Sequence, residues 1–151
     1  MLLIDALRAA GWPEAELGNA LGVVSLESAG NPAAHNPGTP IGAEDSWGLF
    51  QINRLAHGYT VEQLCDPVFN ATVARGLWQA RGGCYTDWWN AAQALGICPF
   101  GGAQHSVADY AALANTDVGG GNGGGLPAGW DVNTIALGLL GLAAVMLILD
   151  L

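Results

Sequence analysis

The segment LESAGNPAAHNPGTPIGAEDSWGLFQIN, Leu26 to Asn53, decides how the rest of the chain is read. It opens at the end of an apolar helix, because Leu17, Leu21 and Val24 recur at i, i+4 and i+7. Gly30 supplies a left-handed C-terminal cap and Pro32 blocks continuation. Glu27 therefore falls in a last helical turn, where the backbone dipole disfavours a carboxylate. Val23 and Val24 lie four and three positions before it, so its carboxyl emerges beside apolar surface and desolvation should raise its pKa. A carboxyl that keeps its proton toward neutral pH is what protonation of a reluctant leaving oxygen requires. Residues 31–45 are rich in Asn, Pro and Gly and read as loop. Trp47 to Asn53 fits either a short extended stretch or the start of a helix.

Working outward, Leu3 and Leu7 mark the apolar stripe of a short first helix that Gly11 stops. Pro13, with Glu14 and Glu16 near the positive end, opens the second helix, which runs to about Ala29. Gly18 and Gly22 thin it for close packing. Downstream, Thr60 and Gln63 form a capping box. Asp66-Pro67 starts a longer helix whose Phe69, Val73, Leu77 and Ala80 share one face, ended by Gly82 and Gly83. Further helices are expected over Asp87 to Leu95 and after Ser106.

Residues 1–115 thus read as one mostly helical domain, and 116–131, with seven glycines between Thr116 and Gly129, as a flexible linker. Residues 132–151 carry no charge before Asp150. The 18-residue run from Val132 to Leu149 would reach about 27 Å as a helix, close to the bilayer's hydrocarbon thickness, and reads as a single transmembrane anchor. Its flanks hold no Lys or Arg and give no orientation. Met1 to Ala10, with Asp5 and no cleavable apolar core, does not read as a signal peptide.

Composition excludes several classes. The chain has four arginines, no lysine and a net charge of -9, so it offers no basic surface for nucleic acid. Without lysine there is neither a phosphate-loop lysine nor a Schiff base. Cys65, Cys84 and Cys98 are too widely spaced for a CxxC metal or redox motif. Either Cys65 and Cys84 close a disulfide, leaving Cys98 over, or all three are small buried hydrophobes. His35, His57 and His105 are scattered and read as loop or surface residues.

The order Glu-Ser, Gly-Asn-Pro, Asn-Pro and Trp-Gly-Leu-Phe-Gln-Ile-Asn resembles the Slt-type lytic transglycosylase and goose-type lysozyme superfamily, over residues 13 to 95. The resemblance implies a mainly α, lysozyme-like α+β domain with at most a small β element. It implies cleavage of the β-1,4 bond between N-acetylmuramic acid and N-acetylglucosamine in peptidoglycan, with no metal or cofactor. Glu27 would be the general acid/base, Asn36 a substrate contact before proline, and Gln51 the cleft glutamine, with Phe50 in an apolar wall where relatives have methionine. Asp66-Pro67-Val68-Phe69-Asn70 matches an Asp-Pro-x-x-Asn helix start that positions a helix behind the cleft. Trp89-Asn90-Ala91-Ala92 stands for Tyr-Asn-Ala-Gly, and an indole cannot supply the tyrosine oxygen; Trp88 and Trp89 either stack on sugars or pack in the core.

A hydrolase needs a second carboxylate to activate water, and Glu44 and Asp45 are the candidates, with Asp45 also readable as a turn residue. A lytic transglycosylase instead uses the sugar's own C6 hydroxyl and leaves a 1,6-anhydro end. Asn53 occupies a position where goose-type hydrolases carry an acid, which tips the expectation toward the transglycosylase. The expected substrate-contacting set around Glu27 is then Asn36, Asp45, Gln51, Asn53, Trp89 and Asn90. Such a domain held at a membrane suits a virion protein of a membrane-containing phage that opens the wall during entry, or a bacterial cell-envelope enzyme. The alternatives are a hydrolytic muramidase assisted by Asp45 and a non-catalytic lysozyme-fold envelope protein.

Overall fold

The computed structural model describes residues 1–119. Helices α1 (Leu3–Ala9), α2 (Leu17–Glu27), α3 (Arg54–His57), α4 (Val61–Cys65), α5 (Pro67–Ala80), α6 (Trp89–Leu95) and α7 (Ala111–Ala114) surround one core. A three-stranded antiparallel sheet of two-residue strands, β1 (His35–Asn36), β2 (Ser46–Trp47) and β3 (Ile52–Asn53), lies between α2 and α3. The fold is the expected helix-rich α+β arrangement, and the ambiguous stretch from Trp47 to Asn53 is extended at both ends with a turn between.

Local signals set most element ends. Gly11 at φ +80° stops α1, and the Thr60–Gln63 capping box closes with both its bonds, 3.2 and 2.9 Å. Asp66 accepts the Phe69 N–H at 2.8 Å and Pro67 fills the first turn of α5. The second helix differs from expectation at both ends. It begins as a 3-10 turn at Glu14–Glu16, whose Glu14 accepts from Arg8 in a bidentate pair at 2.9 and 3.2 Å. It ends at Glu27, with Ala29 already left-handed at φ +51°.

Helix α5 is the axis of the core. Phe69 and Val73 are buried as the single-face pattern requires, but so are Asn70, Ala71, Thr72 and Ala74. Neighbours pack against it from several sides, and an amphipathic stripe understates that burial. An aromatic cluster fills the adjoining space. Trp12 stacks on Phe50 at 5.5 Å and 5°, Trp88 meets Phe50 edge-on at 5.6 Å, and Tyr85 stacks on Trp12 at 6.1 Å. Phe50 is thus a fully buried core residue and not part of a cleft wall.

Two further expectations are corrected. The disulfide joins Cys84 to Cys98, with Cα atoms 4.9 Å apart, and Cys65 is free. The loop between α6 and the 3-10 turn at Val107–Tyr110 brings Cys98 back beside Tyr85, whose N–H donates to the Cys98 carbonyl at 3.0 Å, so sequence distance misidentified the partner. Thr116 to Val118, expected at the head of the linker, belong to the domain instead. The Thr116 carbonyl accepts from Leu3 N–H at 3.0 Å, Asp117 bridges Leu2, and Val118 is buried. The rest of the linker and the anchor at 132–151 lie outside the described residues, among which no helix is long and apolar enough to cross a membrane.

Close packing of α2 depends on Gly18, where a Cβ would sit 1.8 Å from the His105 carbonyl oxygen. Alanine's helix propensity favours it over glycine by only about 1 kcal/mol. Because the obstacle is backbone, overpacking outweighs that gain, and Gly18→Ala is expected to destabilise the fold by roughly 2 kcal/mol or more, read from denaturant melts.

Candidate active site

Glu27 is the final residue of α2, and the next residue fastens the helix end to the loop opposite. The Ser28 hydroxyl donates to the Leu49 carbonyl at 2.8 Å. Leu49 belongs to the turn between β2 and β3, which is held from below by Asn70 on α5. The fully buried Asn70 side chain accepts from Phe50 N–H at 2.9 Å and donates to the carbonyls of Trp47 at 2.9 Å and Leu64 at 3.0 Å. Gly48 is required at this point. It has φ +83°, and a Cβ would lie 2.2 Å from the Leu64 oxygen and 2.3 Å from Asn70 Nδ2.

Gln51 adopts the left-handed region at φ +50°, and its Nε2 donates to the carbonyls of Ala34 and Gly48, each at 3.0 Å. The glutamine thereby ties the incoming loop to the turn and offsets its own backbone strain. Its Oε1 has no hydrogen bond among the described residues and is the part of the group able to accept from a ligand.

The acids of this region occupy different environments. Burial is the main cause that pushes the Glu27 carboxyl above the ordinary carboxylate range, and the charge of Glu44 adds to it. Glu44 accepts from the hydroxyl of buried Ser46 and, at 3.4 Å, from Asn36 Nδ2. Asp45 is driven the other way, below the usual range, first by the Trp47 indole N–H at 2.6 Å, then by Arg54 Nε at 2.7 Å and His35 Nε2 at 2.9 Å. His35 also stacks on Trp47 at 3.9 Å and 13°. The arrangement combines one carboxyl whose proton affinity is raised by burial, a neighbouring acid whose charge adds to that effect, and a third acid held by three partners.

The expected site residues separate accordingly. Glu27, Asn36 and Gln51 gather around the Glu44 loop and the β2–β3 turn, with Asn36 also bracing Gly38 through its Oδ1 at 3.0 Å. Asp45 is held by His35, Trp47 and Arg54, contacts that tie β1, β2 and the start of α3 together. Asn53 caps α3 by accepting from Leu55 N–H at 3.1 Å. Trp88 is core, donating from Nε1 to the Phe50 carbonyl at 2.7 Å, whereas Trp89 and Asn90 are exposed on α6. Ser28 was missed as an organising residue because its partner, the Leu49 carbonyl, is 21 residues away and leaves no periodic trace in sequence; Ser46, bonded to Glu44 two residues before it, was also missed. Among the described residues no group of three or more His, Cys, Asp or Glu is gathered to hold a metal.

A family model described as a lysozyme-like domain matches residues 5–88, which include Glu27, the whole sheet and α5. No curated protein and no solved structure matches the chain.

Two outcomes follow from these contacts. Asn70→Ala leaves a buried N–H and two carbonyls unpaired, and is expected to cost about 3 kcal/mol, roughly 10 °C in thermal midpoint. For Glu27 the folded pKa lies above the unfolded one, so its ionisation costs stability as pH rises from about 4 through the folded value. Glu27→Gln removes that cost. The variant should melt above the parent at neutral pH, with the gap closing below about pH 4, which a pH series of thermal melts reads directly.

Proposed function

The chain belongs to the family of lysozyme-like domains, and from that premise we propose that it is a lytic transglycosylase acting on the MurNAc–GlcNAc β-1,4 bond of peptidoglycan, with Glu27 as its general acid and base. The observation that carries the reading is the environment of Glu27: a carboxyl whose proton affinity is raised by burial and by the charge of Glu44, beside a turn that Asn70, Gly48 and Ser28 hold in place.

In the proposed reaction Glu27 gives its proton to the glycosidic oxygen as the bond to the muramoyl C1 breaks. The resulting Glu27 carboxylate takes the proton of the same sugar's C6 hydroxyl, whose oxygen closes on C1. A 1,6-anhydro end and a free 4-hydroxyl result, Glu27 regains its proton, and no water is consumed. Gln51 Oε1 and Asn36 are the polar groups available to orient the strand. One carboxyl does both proton transfers, which fits a site where Asp45 is fully engaged by Trp47, Arg54 and His35.

A second reading is favoured by one specific observation, that the charge of Glu44 is felt at Glu27. Two carboxylates at such a site can divide the work of acid and base, with Glu44 activating water and the enzyme acting as a muramidase. In either case we read 132–151 as an anchor holding the domain at a membrane, of a phage virion that opens the wall locally or of a bacterial envelope.

The test is digestion of purified peptidoglycan by the full-length chain and its Glu27→Gln and Glu44→Gln variants, with released muropeptides identified by mass. The expected products are 1,6-anhydro species, one water lighter than reducing-end species. Glu27→Gln should lower the rate by at least about a hundredfold, while Glu44→Gln still releases anhydro ends, with its activity limit on the alkaline side shifted to lower pH. Reducing-end products lost in Glu44→Gln would establish the muramidase instead. No release by the folded parent would leave a glycan-binding role.

A further inference from the structure

The loop that follows α6 borders a cavity of about 70 Å³ whose wall includes Glu16, the residue before α2. Glu27 is the last residue of that helix, so 11 residues of helix set the two glutamates about 16 Å apart. Two buried side chains hold the Glu16 carboxylate. The Tyr85 hydroxyl, on a residue 1% exposed, donates to Oε2 at 3.0 Å, and Nδ2 of Asn19, 2% exposed, donates to the same oxygen at 3.2 Å. Burial, and then the charge of Glu16, pushes the Tyr85 hydroxyl far above its ordinary range, so it stays a donor. Oε1 of Glu16 accepts no hydrogen bond among the described residues, and no Arg, His or amino group forms an ion pair with it there.

The walls of the cavity are fastened to one another. The Cys84–Cys98 disulfide and the Tyr85 N–H to Cys98 carbonyl bond, 3.0 Å, tie the segment before α6 to the loop after it. Within that loop the Ala103 N–H donates to the Gly96 carbonyl at 3.1 Å. Its far end is fixed to α2, because the His105 N–H donates to Asn19 Oδ1 at 3.0 Å. Gly101 and Gly102 lie exposed at the rim and bring no side chain to close it.

Charge and size narrow the occupant. A carboxylate with neutral donors on one oxygen and the other oxygen open is completed by a cation that can donate hydrogen bonds. The net charge of -9 favours cations at the surface as a whole. The cavity has roughly half the ~150 Å³ that takes up a benzene molecule, so it admits a small head group and excludes a sugar ring. Glu16 is the one acid of its lining, and among the described residues no group of three or more His, Cys, Asp or Glu is gathered to hold a metal. A primary ammonium has three N–H donors, and the acceptors in the lining are Glu16 Oε1, the Tyr85 oxygen and the Gln104 amide oxygen. Buried Ile97 and the Cys98 sulfur offer apolar contact for a short alkyl stem.

We infer that this cavity is a binding site for a primary ammonium group on a short alkyl stem, with Glu16 as its counter-ion, at the end of α2 remote from Glu27. Two sources present that group: a small free amine, and the side-chain amine of a peptidoglycan stem peptide. The second source rests on the proposed glycan-cleaving role, and about five extended residues span the distance between the two glutamates.

The experiment titrates the isotope-labelled full-length chain with propylammonium chloride and, separately, with propanol, following the backbone amides of Ala103 and Gln104 by NMR. Propylammonium is expected to shift them saturably and to bind at least about tenfold more tightly than propanol, which has the same stem and no charge. Glu16→Gln keeps an oxygen for Tyr85 and Asn19 and removes the charge, so it is expected to weaken propylammonium binding about tenfold, with thermal melts reporting that the variant is folded. Propylammonium binding no tighter than propanol in the parent, or unchanged in folded Glu16→Gln, overturns the site. A second arm uses a stem peptide ending in lysine and the same peptide acetylated on its side-chain amine. Shifts of the same amides that acetylation abolishes identify the wall peptide as the source, whereas propylammonium binding without peptide binding assigns the site to free amines and overturns the wall source. Binding is read without cleavage, so failure here is distinct from failure of the parent to release muropeptides.

Discussion

The site depends on one buried amide. Asn70 reaches from the central helix into the turn after Trp47 and satisfies groups on both sides of the space between α4 and the sheet. A side chain with both donors and an acceptor is needed there: a carboxylate would meet two carbonyls, and an apolar group would strand three backbone atoms. Gly48 exists in its form because Asn70 Nδ2 and the Leu64 carbonyl occupy the space a Cβ would take. With that turn fixed, Phe50 is driven into the aromatic cluster, Leu49 presents its carbonyl to Ser28, and the end of α2 is located.

From this frame the electrostatics follow. Glu27 and Asp45 lie within one short stretch of chain, yet their proton affinities move in opposite directions. Glu27 has lost water without gaining a cation, whereas Asp45 has gained an indole N–H, a guanidinium and an imidazole. Neighbouring acids whose environments separate them in this way are how a fold assigns one to proton transfer and another to architecture. Glu44 is held by Ser46 and Asn36 and is close enough for its charge to be felt at Glu27.

Much of the fold was legible in the sequence because its signals are local. Capping by Thr60 and Asp66, termination at Gly11, Gly82 and Gly83, and the thinned helix at Gly18 all act over a few residues. The raised proton affinity of Glu27 was readable too, since Val23 and Val24 share its helix. What escaped was set by contacts distant along the chain. The Cys84–Cys98 pairing depends on a loop folding back, the burial of Phe50 on Trp12 arriving from the loop after α1, and the engagement of Asp45 on Arg54 meeting it across the sheet. Thr116 to Val118 looked like linker because their composition is weak, but strand-like bonds to Met1 and Leu3 hold them regardless of side chain.

The proposed mechanism puts Glu27 at the bond to be broken. A structure of the full-length Glu27→Gln chain bound to a peptidoglycan-derived tetrasaccharide tests it most directly. The result expected is a MurNAc–GlcNAc oxygen within about 3 Å of the residue 27 side chain, with the strand lying against Gln51 and the Asn70-supported turn. A saccharide seated elsewhere, with its glycosidic oxygens remote from residue 27, would contradict it.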